Sequence, residues 1–253
     1  MDSLSLAPKQ SQQYQHVLVM RHGDRIDELV DSWLSNATRP WDPPLVDAGC
    51  VRAFHTGAKL RTQLRFPIHR VFVSPFMRCI ETASEVVSAL CAIRGDSDAL
   101  PRTDMPIDTS KIKVSIEYGI SEMFNSMGIQ TPPKDGEWGF NLPELELKLP
   151  AGTLDPEFEP VVKELPKWGE TSSDAKARFG RLIHALADRY PSENLLFITH
   201  GSGLRATVWT FLNGTKVHKV EYCAYVELER QIILNDSNSI MAGKFGVVSQ
   251  HGY

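Results

Sequence analysis

Three short apolar runs constrain this chain more than any other feature: "HVLVM" (16–20), "HRVFVS" (69–74) and "NLLFITH" (194–200). Each is too short for a helix and too uniformly apolar for a strand with one wet face, which is the pattern of strands buried on both sides. A helical pattern comes after each of them. Residues 46–64 bring Val51, Phe54, Ala58, Leu60 and Leu64 towards one face, and residues 76–93 do the same with Met77, Ile80, Ala83, Val87 and Leu90. Residues 172–190 carry a stripe of Phe179, Leu182, Ile183 and Leu186 behind a serine cap candidate, and 202–212 continue directly from the third run. Strand–helix alternation of this kind predicts an α/β fold: a three-layer α/β/α sandwich around a mostly parallel sheet.

The whole chain of 253 residues reads as a single domain with a core over about 16–93 and 170–236 and an inserted cap over about 94–169. The insert is rich in proline, as in "TPPKDGEWGFNLPELELKLP", and bears Phe124, Trp138, Phe140, Phe158 and Trp168 without a sustained period, so it is expected to be irregular. Beyond Leu212, "YCAYVELER" and "QIILND" read as a hairpin, and the tail from Gly243 as a weakly ordered end.

A net charge of −4 offers no electrostatic footprint for nucleic acid or a membrane surface, and no apolar run approaches the length of a bilayer span. The polar start, "MDSLSLAPKQSQQYQ", lacks the apolar centre of a signal peptide, and the four cysteines show no CxxC pairing. The expected location is the cytoplasm.

In open α/β sheets ligands bind beyond the carboxyl ends of the strands. The first run ends in Arg21-His22-Gly23-Asp24-Arg25, the second in Ser74-Pro75 with Arg78 one turn on, and the third in Thr199-His200-Gly201-Ser202. Two histidines and three arginines thus meet at one sheet edge beside helix N-termini, an arrangement suited to a dianion such as phosphate. No cysteine stands at the spacing to an arginine that a cysteine phosphatase needs. There is also no Walker-type loop, no H-E-x-x-H and no G-x-S-x-G elbow. Histidine remains as nucleophile, with guanidinium groups neutralising charge and no metal or cofactor called for. Its second ring nitrogen would be held by a backbone carbonyl, that of Gly23.

"MRHGDR", "SPFMRCIETA" and "ITHGSG", in this order, resemble the three signatures of the histidine phosphatase superfamily, in its phosphoglycerate mutase-like branch; "PLVDAGCVRAFHTGAKL" resembles the segment between the first two. The likeness spans about 16–91 and 194–212. It is nearest to the Sts and ecdysteroid-phosphate phosphatase type, since "RHGDRID" replaces the R-H-G-E-S of the mutases. The resemblance implies a phosphoric monoester hydrolase with a phosphohistidine intermediate on His22. Arg21, Arg78 and His200 would hold the phosphoryl oxygens, joined by Arg25, for which an ion pair with Asp27 or Glu28 is the competing reading. A carboxylate would protonate the leaving group: Glu122, in Ile120-Ser121-Glu122, with Glu117 as the alternative. Asp24 reads as a helix cap, and His55, His69 and His184 as packing or surface residues. The implied partner is a small-molecule or phosphoprotein phosphomonoester. Two further readings stay open at this point: a mutase acting on phosphoglycerate, and a binding module that keeps the phosphate site without chemistry.

Overall fold

The structure, a computed structural model, describes residues 13–93, 105–234 and 240–252. The N-terminal segment before residue 13 and residues 94–104 of the insert lie outside the described residues. Strands β1 (Gln13–Arg21), β2 (Arg70–Val73), β3 (Lys113–Ile116), β4 (Leu195–Thr199), β5 (Tyr225–Leu234), β6 (Ile240–Ala242) and β7 (Gly246–His251) form one sheet in the order β3-β2-β4-β1-β5-β6, with β7 also paired to β5. The first four are mutually parallel, and β5 runs antiparallel to β1, β6 and β7.

The helices are α1 (Trp33–Asn36), α2 (Asp47–Gln63), α3 (Met77–Cys91), α4 (Leu142–Glu146), α5 (Ser172–Arg189) and α6 (Gly201–Phe211). The period-two geometry of the strands sorts their side chains into two cores. Leu18, Met20, Val71, Val73, Leu196 and Ile198 pack with α2 and α3 on one face, and Val17, Val19, Phe72, Leu195 and Phe197 pack with α5 and α6 on the other. All eleven are fully buried, each contributing about 1.5–3 kcal/mol by leaving water. The three-layer sandwich expected from the apolar runs is the fold observed. Among the described residues no helix is long and apolar enough to cross a membrane.

Four expectations are corrected. The insert is not wholly irregular: β3 adds a parallel edge strand to the sheet beside β2. Tyr225–Leu234 is one continuous strand, β5, and not the two arms of a hairpin, because no turn residue separates Arg230 from Gln231. The tail after Gly243 is ordered as β7, laid along β5. On α2 the buried face is Gly49, Ala53, Gly57 and Leu60, while Val51 is exposed. That helix meets α3 so closely that a Cβ on Gly57 would stand 2.6 Å from the carbonyl oxygen of Val86, so small residues, not large ones, mark its contact.

The helix after β1 packs on one face of the sheet and the helix after β4 on the other, although the two strands are neighbours. A crevice therefore opens between their carboxyl ends.

Candidate active site

Three strand ends feed this crevice. Arg21 closes β1, and the next residue extends the ladder: the His22 amide donates to the Thr199 carbonyl (2.9 Å), while the His22 carbonyl accepts from the Cys223 amide (3.2 Å). The Gly23 amide donates to the Thr82 hydroxyl (3.0 Å), which donates in turn to the Arg78 carbonyl (2.6 Å). The loop behind β1 is thereby fixed to the first turns of α3, which carries Arg78. Gly23 and Gly49 pass back to back; a Cβ on Gly49 would lie 2.5 Å from the Asp24 carbonyl oxygen.

His22 is 1% exposed, and its Nδ1 lies 2.8 Å from the Gly23 carbonyl oxygen, the partner expected from sequence. With the Nδ1 proton donated there, Nε2 holds the free lone pair. Burial, then the charges of Arg78 and Arg21, hold the His22 pKa well below the usual histidine range. His200, fully buried, is lowered in the same way by burial and by Arg78. Both imidazoles are neutral at physiological pH. Their ring centroids are 5.5 Å apart, and His200 Nε2 sits 2.8 Å from the Ser74 hydroxyl at the end of β2.

Arg78 is the unusual residue. It is 1% exposed, yet its Nε and Nη1 have no hydrogen-bond partner; Nη2 is 4.0 Å from a Glu122 carboxylate oxygen, and the guanidinium lies over the Phe76 ring at 4.5 Å. Buried donors left unpaired are costly, and a buried unpaired cation more so. Arg21 also keeps an unpartnered Nε, with Nη1 donating to the Val220 carbonyl (2.5 Å) and the guanidinium 4.0 Å above the Tyr222 ring. An oxyanion would satisfy both groups.

Glu122 comes into the site and Glu117 does not. Glu122 Oε1 accepts from the Met123 amide (2.9 Å) and the Ser202 hydroxyl, and Oε2 stands 3.5 Å from His200 Nδ1. Glu117 is buried at the end of β3, where it accepts from the amides of Gly119 (2.9 Å), Val161 (2.7 Å) and Val162 (3.1 Å) and pins the insert to the sheet. Arg25 is bound in two places by Asp27, with Glu28 at 3.7 Å, so its ion pairs are made and it faces the crevice as one member of a cluster. Asp24 caps no helix; it pairs with Arg52 across 2.7 Å. Thr82 lies within the "SPFMRCIETA" stretch, one turn after Arg78, but was not among the residues expected at the site. Tyr222, whose ring is 5.8 Å from His22, carried no sequence signal because it reaches the site from a distant segment. Ser202 stands beside His200 in the sequence, but its bond to Glu122 joins residues 80 positions apart.

A cavity of about 290 Å³ adjoins Arg78, walled by Arg25, Asp27, Trp41, Ile129 and Thr131. A larger apolar hollow of about 740 Å³, beside Leu60, Phe66 and Ile112, touches none of these residues. Among the described residues no three histidine, cysteine or carboxylate side chains are grouped so as to hold a metal ion. What the crevice brings together is a neutral imidazole with a free Nε2 lone pair, guanidinium donors without partners and a carboxylate, an arrangement suited to binding an oxyanion.

The family model for the histidine phosphatase superfamily (branch 1) matches residues 139–232, a span that includes His200 but not His22, Arg78 or Glu122. No curated protein sequence matches the chain. Among solved structures, it is similar to the ecdysone phosphate phosphatase of Bombix mori in complex with tungstate (20% identity, 93% of this chain and 92% of that one, TM-score 0.65). It is also similar to a mycobacterial glucosyl-3-phosphoglycerate phosphatase (13%, 95% and 100%, TM-score 0.54) and to the phosphoglycerate mutase of Bacillus anthracis (14%, 92% and 93%, TM-score 0.52). At these identities the structural likeness establishes a shared fold.

Proposed function

We propose that this chain, which carries the histidine phosphatase superfamily fold and part of its sequence signature, is a metal-independent phosphomonoester hydrolase. One phosphatase domain spans the chain in this reading. The observation that carries it is the pairing of a buried Arg78, two of whose nitrogens lack partners, with a neutral His22 whose Nδ1 is already occupied.

A substrate phosphate enters against Arg78 and Arg21, with Arg25 adding long-range charge. His200 contributes Nδ1, the ring nitrogen on the Glu122 side, while Ser74 holds Nε2. His22 Nε2 attacks phosphorus, the P–O bond to the alcohol breaks, and the leaving oxygen takes a proton from Glu122. Phosphoryl transfer asks chiefly for positioning and positive charge, which the guanidinium groups supply. Water then attacks the phosphohistidine with Glu122 as base, releasing inorganic phosphate and restoring His22. The relatives' names support phosphate esters as the substrate class. Cys79, Cys91 and Cys223, present as buried free thiols, suit the reducing cytoplasm.

The test is release of phosphate from para-nitrophenyl phosphate in the presence of EDTA, comparing the native chain with His22→Ala. Activity that resists EDTA and disappears in the variant is expected. Equal activity in both proteins would remove His22 from the mechanism, and strict dependence on a bisphosphoglycerate primer with little phosphate release would turn the reading towards a mutase.

A further inference from the structure

A second buried arginine stands close to the site and contrasts with Arg78. Arg178, on the second turn of α5 and 9% exposed, uses all five of its N–H donors. Nε and Nη2 grip Glu170 in a two-pronged pair, each at 2.7 Å. Nη1 donates to the carbonyls of Gly119 (2.7 Å) and Ser121 (3.1 Å), and Nη2 also to that of Glu122 (3.3 Å). Glu170 continues the network: its carboxylate accepts from the Phe124 amide (3.2 Å), while the amides of Gly169 and Glu170 donate to the Phe124 carbonyl at 2.8 and 3.1 Å. Residues 119–124 are therefore bound from both sides, and Glu122 lies in the middle of them.

That binding is unusual in its placement. The 119–124 segment belongs to the insert and has no sheet or helix ladder of its own beyond a single 3₁₀ turn at Tyr118–Ile120. Its carbonyls would otherwise face the apolar side of α5, and a planar fork of fixed geometry is the side chain best able to satisfy three of them at once. Resting on the proposed hydrolase reading, we infer that Arg178 and Glu170 form a positioning pair for Glu122: they fix the backbone that aims the proton donor at the leaving oxygen, without touching substrate themselves. An apolar pin would hold the insert equally well, but would not set the azimuth of one carboxylate.

A proton donor matters in proportion to how poor the leaving group is. An alkoxide needs its proton during P–O cleavage, whereas para-nitrophenolate departs well without one, and general acid catalysis of this kind is worth about 10²–10⁴-fold. The experiment measures kcat/KM, which reports steps up to leaving-group departure, for para-nitrophenyl phosphate and for glycerol 2-phosphate. The proteins are the native chain, Arg178→Lys, Glu170→Gln and His22→Ala. Arg178→Lys is expected to lose about 10²-fold on glycerol 2-phosphate, the cost of a misplaced group, and less than about threefold on para-nitrophenyl phosphate. Glu170→Gln, which keeps one acceptor for the fork, should lie between native and Arg178→Lys on the alkyl ester. Equal losses on both substrates in both variants would overturn the inference and leave the pair as a fold staple. If Arg178→Lys does not fold, Glu170→Gln alone decides by the same ratio. His22→Ala inactive on both esters, with equal losses in the pair, would sink only this inference; an active His22→Ala would sink the hydrolase reading beneath it.

Discussion

Replacing Arg78 by methionine should make the protein more stable and inactive at once. The apolar stem of the side chain is kept, and the buried charge with its two unpartnered nitrogens is removed. An unsatisfied buried donor costs about 1–3 kcal/mol, and more when it is charged. Against this, the variant forfeits the guanidinium–Phe76 contact, worth about 0.5–2 kcal/mol. The Glu122 carboxylate keeps Ser202 and the Met123 amide as partners, and Asp42 keeps Arg39 and the Met77 amide, so neither acid is stranded. With two such nitrogens the balance is a gain centred on about 2–3 kcal/mol, which in a chain of this size raises Tm by about 4–12 °C. The assay is thermal unfolding with and without inorganic phosphate. Phosphate at about 100 times its Kd stabilises the native protein by about 2.7 kcal/mol; it should leave Arg78→Met unmoved. Activity on para-nitrophenyl phosphate should fall about 10³-fold, the upper range for loss of one oxyanion donor. A variant that melts below the native protein and still responds to phosphate would show that Arg78 is structural and refute the reasoning.

Glu117→Gln should destabilise the fold by about 1–3 kcal/mol in urea unfolding, because an amide cannot accept from three backbone N–H groups, and leave kcat/KM nearly native. Glu122→Gln should do the opposite: native melting, with an alkyl phosphate turned over about 10²-fold or more slowly. The two buried histidines set a pH dependence of the unliganded protein. Their folded pKa values lie well below the ordinary value, so the unfolded chain binds more protons, and stability is complete above about pH 6.5 and falls as pH drops below it. The slope reaches about 2.7 kcal/mol per pH unit with both groups titrating, to be read from urea unfolding across that range, and His22→Ala should remove about half of it.

Much of the fold and of the site was legible because the informative residues are local to strand ends. The apolar runs at 16–20, 69–74 and 194–200 fix the parallel core, and the topology alone brings the residues just beyond each run to the crevice, so Arg21, His22, Arg78 and His200 could be read directly. Glu122 could be named but not separated from Glu117, since both are carboxylates near one short turn and only the backbone amides around Glu117 reveal which of them serves the fold. β3, four residues long within a proline-rich stretch, carried too little pattern to register. Arg25 pairs with Asp27, two positions on, which is one of the two readings its local sequence offers, whereas Asp24 shows the limit of local reading, being taken up by Arg52, 28 positions away. Arg178 looked like any charge on an amphipathic helix; three of its acceptors are carbonyls 56 to 59 positions away, and the others belong to Glu170, eight positions back.

The most direct test of His22 as nucleophile is to trap the intermediate. The protein is mixed with a ³²P-labelled phosphomonoester, quenched in alkali within one turnover, digested, and the labelled peptide sequenced. Label that is stable in alkali, lost in acid and confined to the peptide bearing His22 is the predicted result. Label on another residue, or full turnover with no protein-bound phosphate at any time, would contradict it.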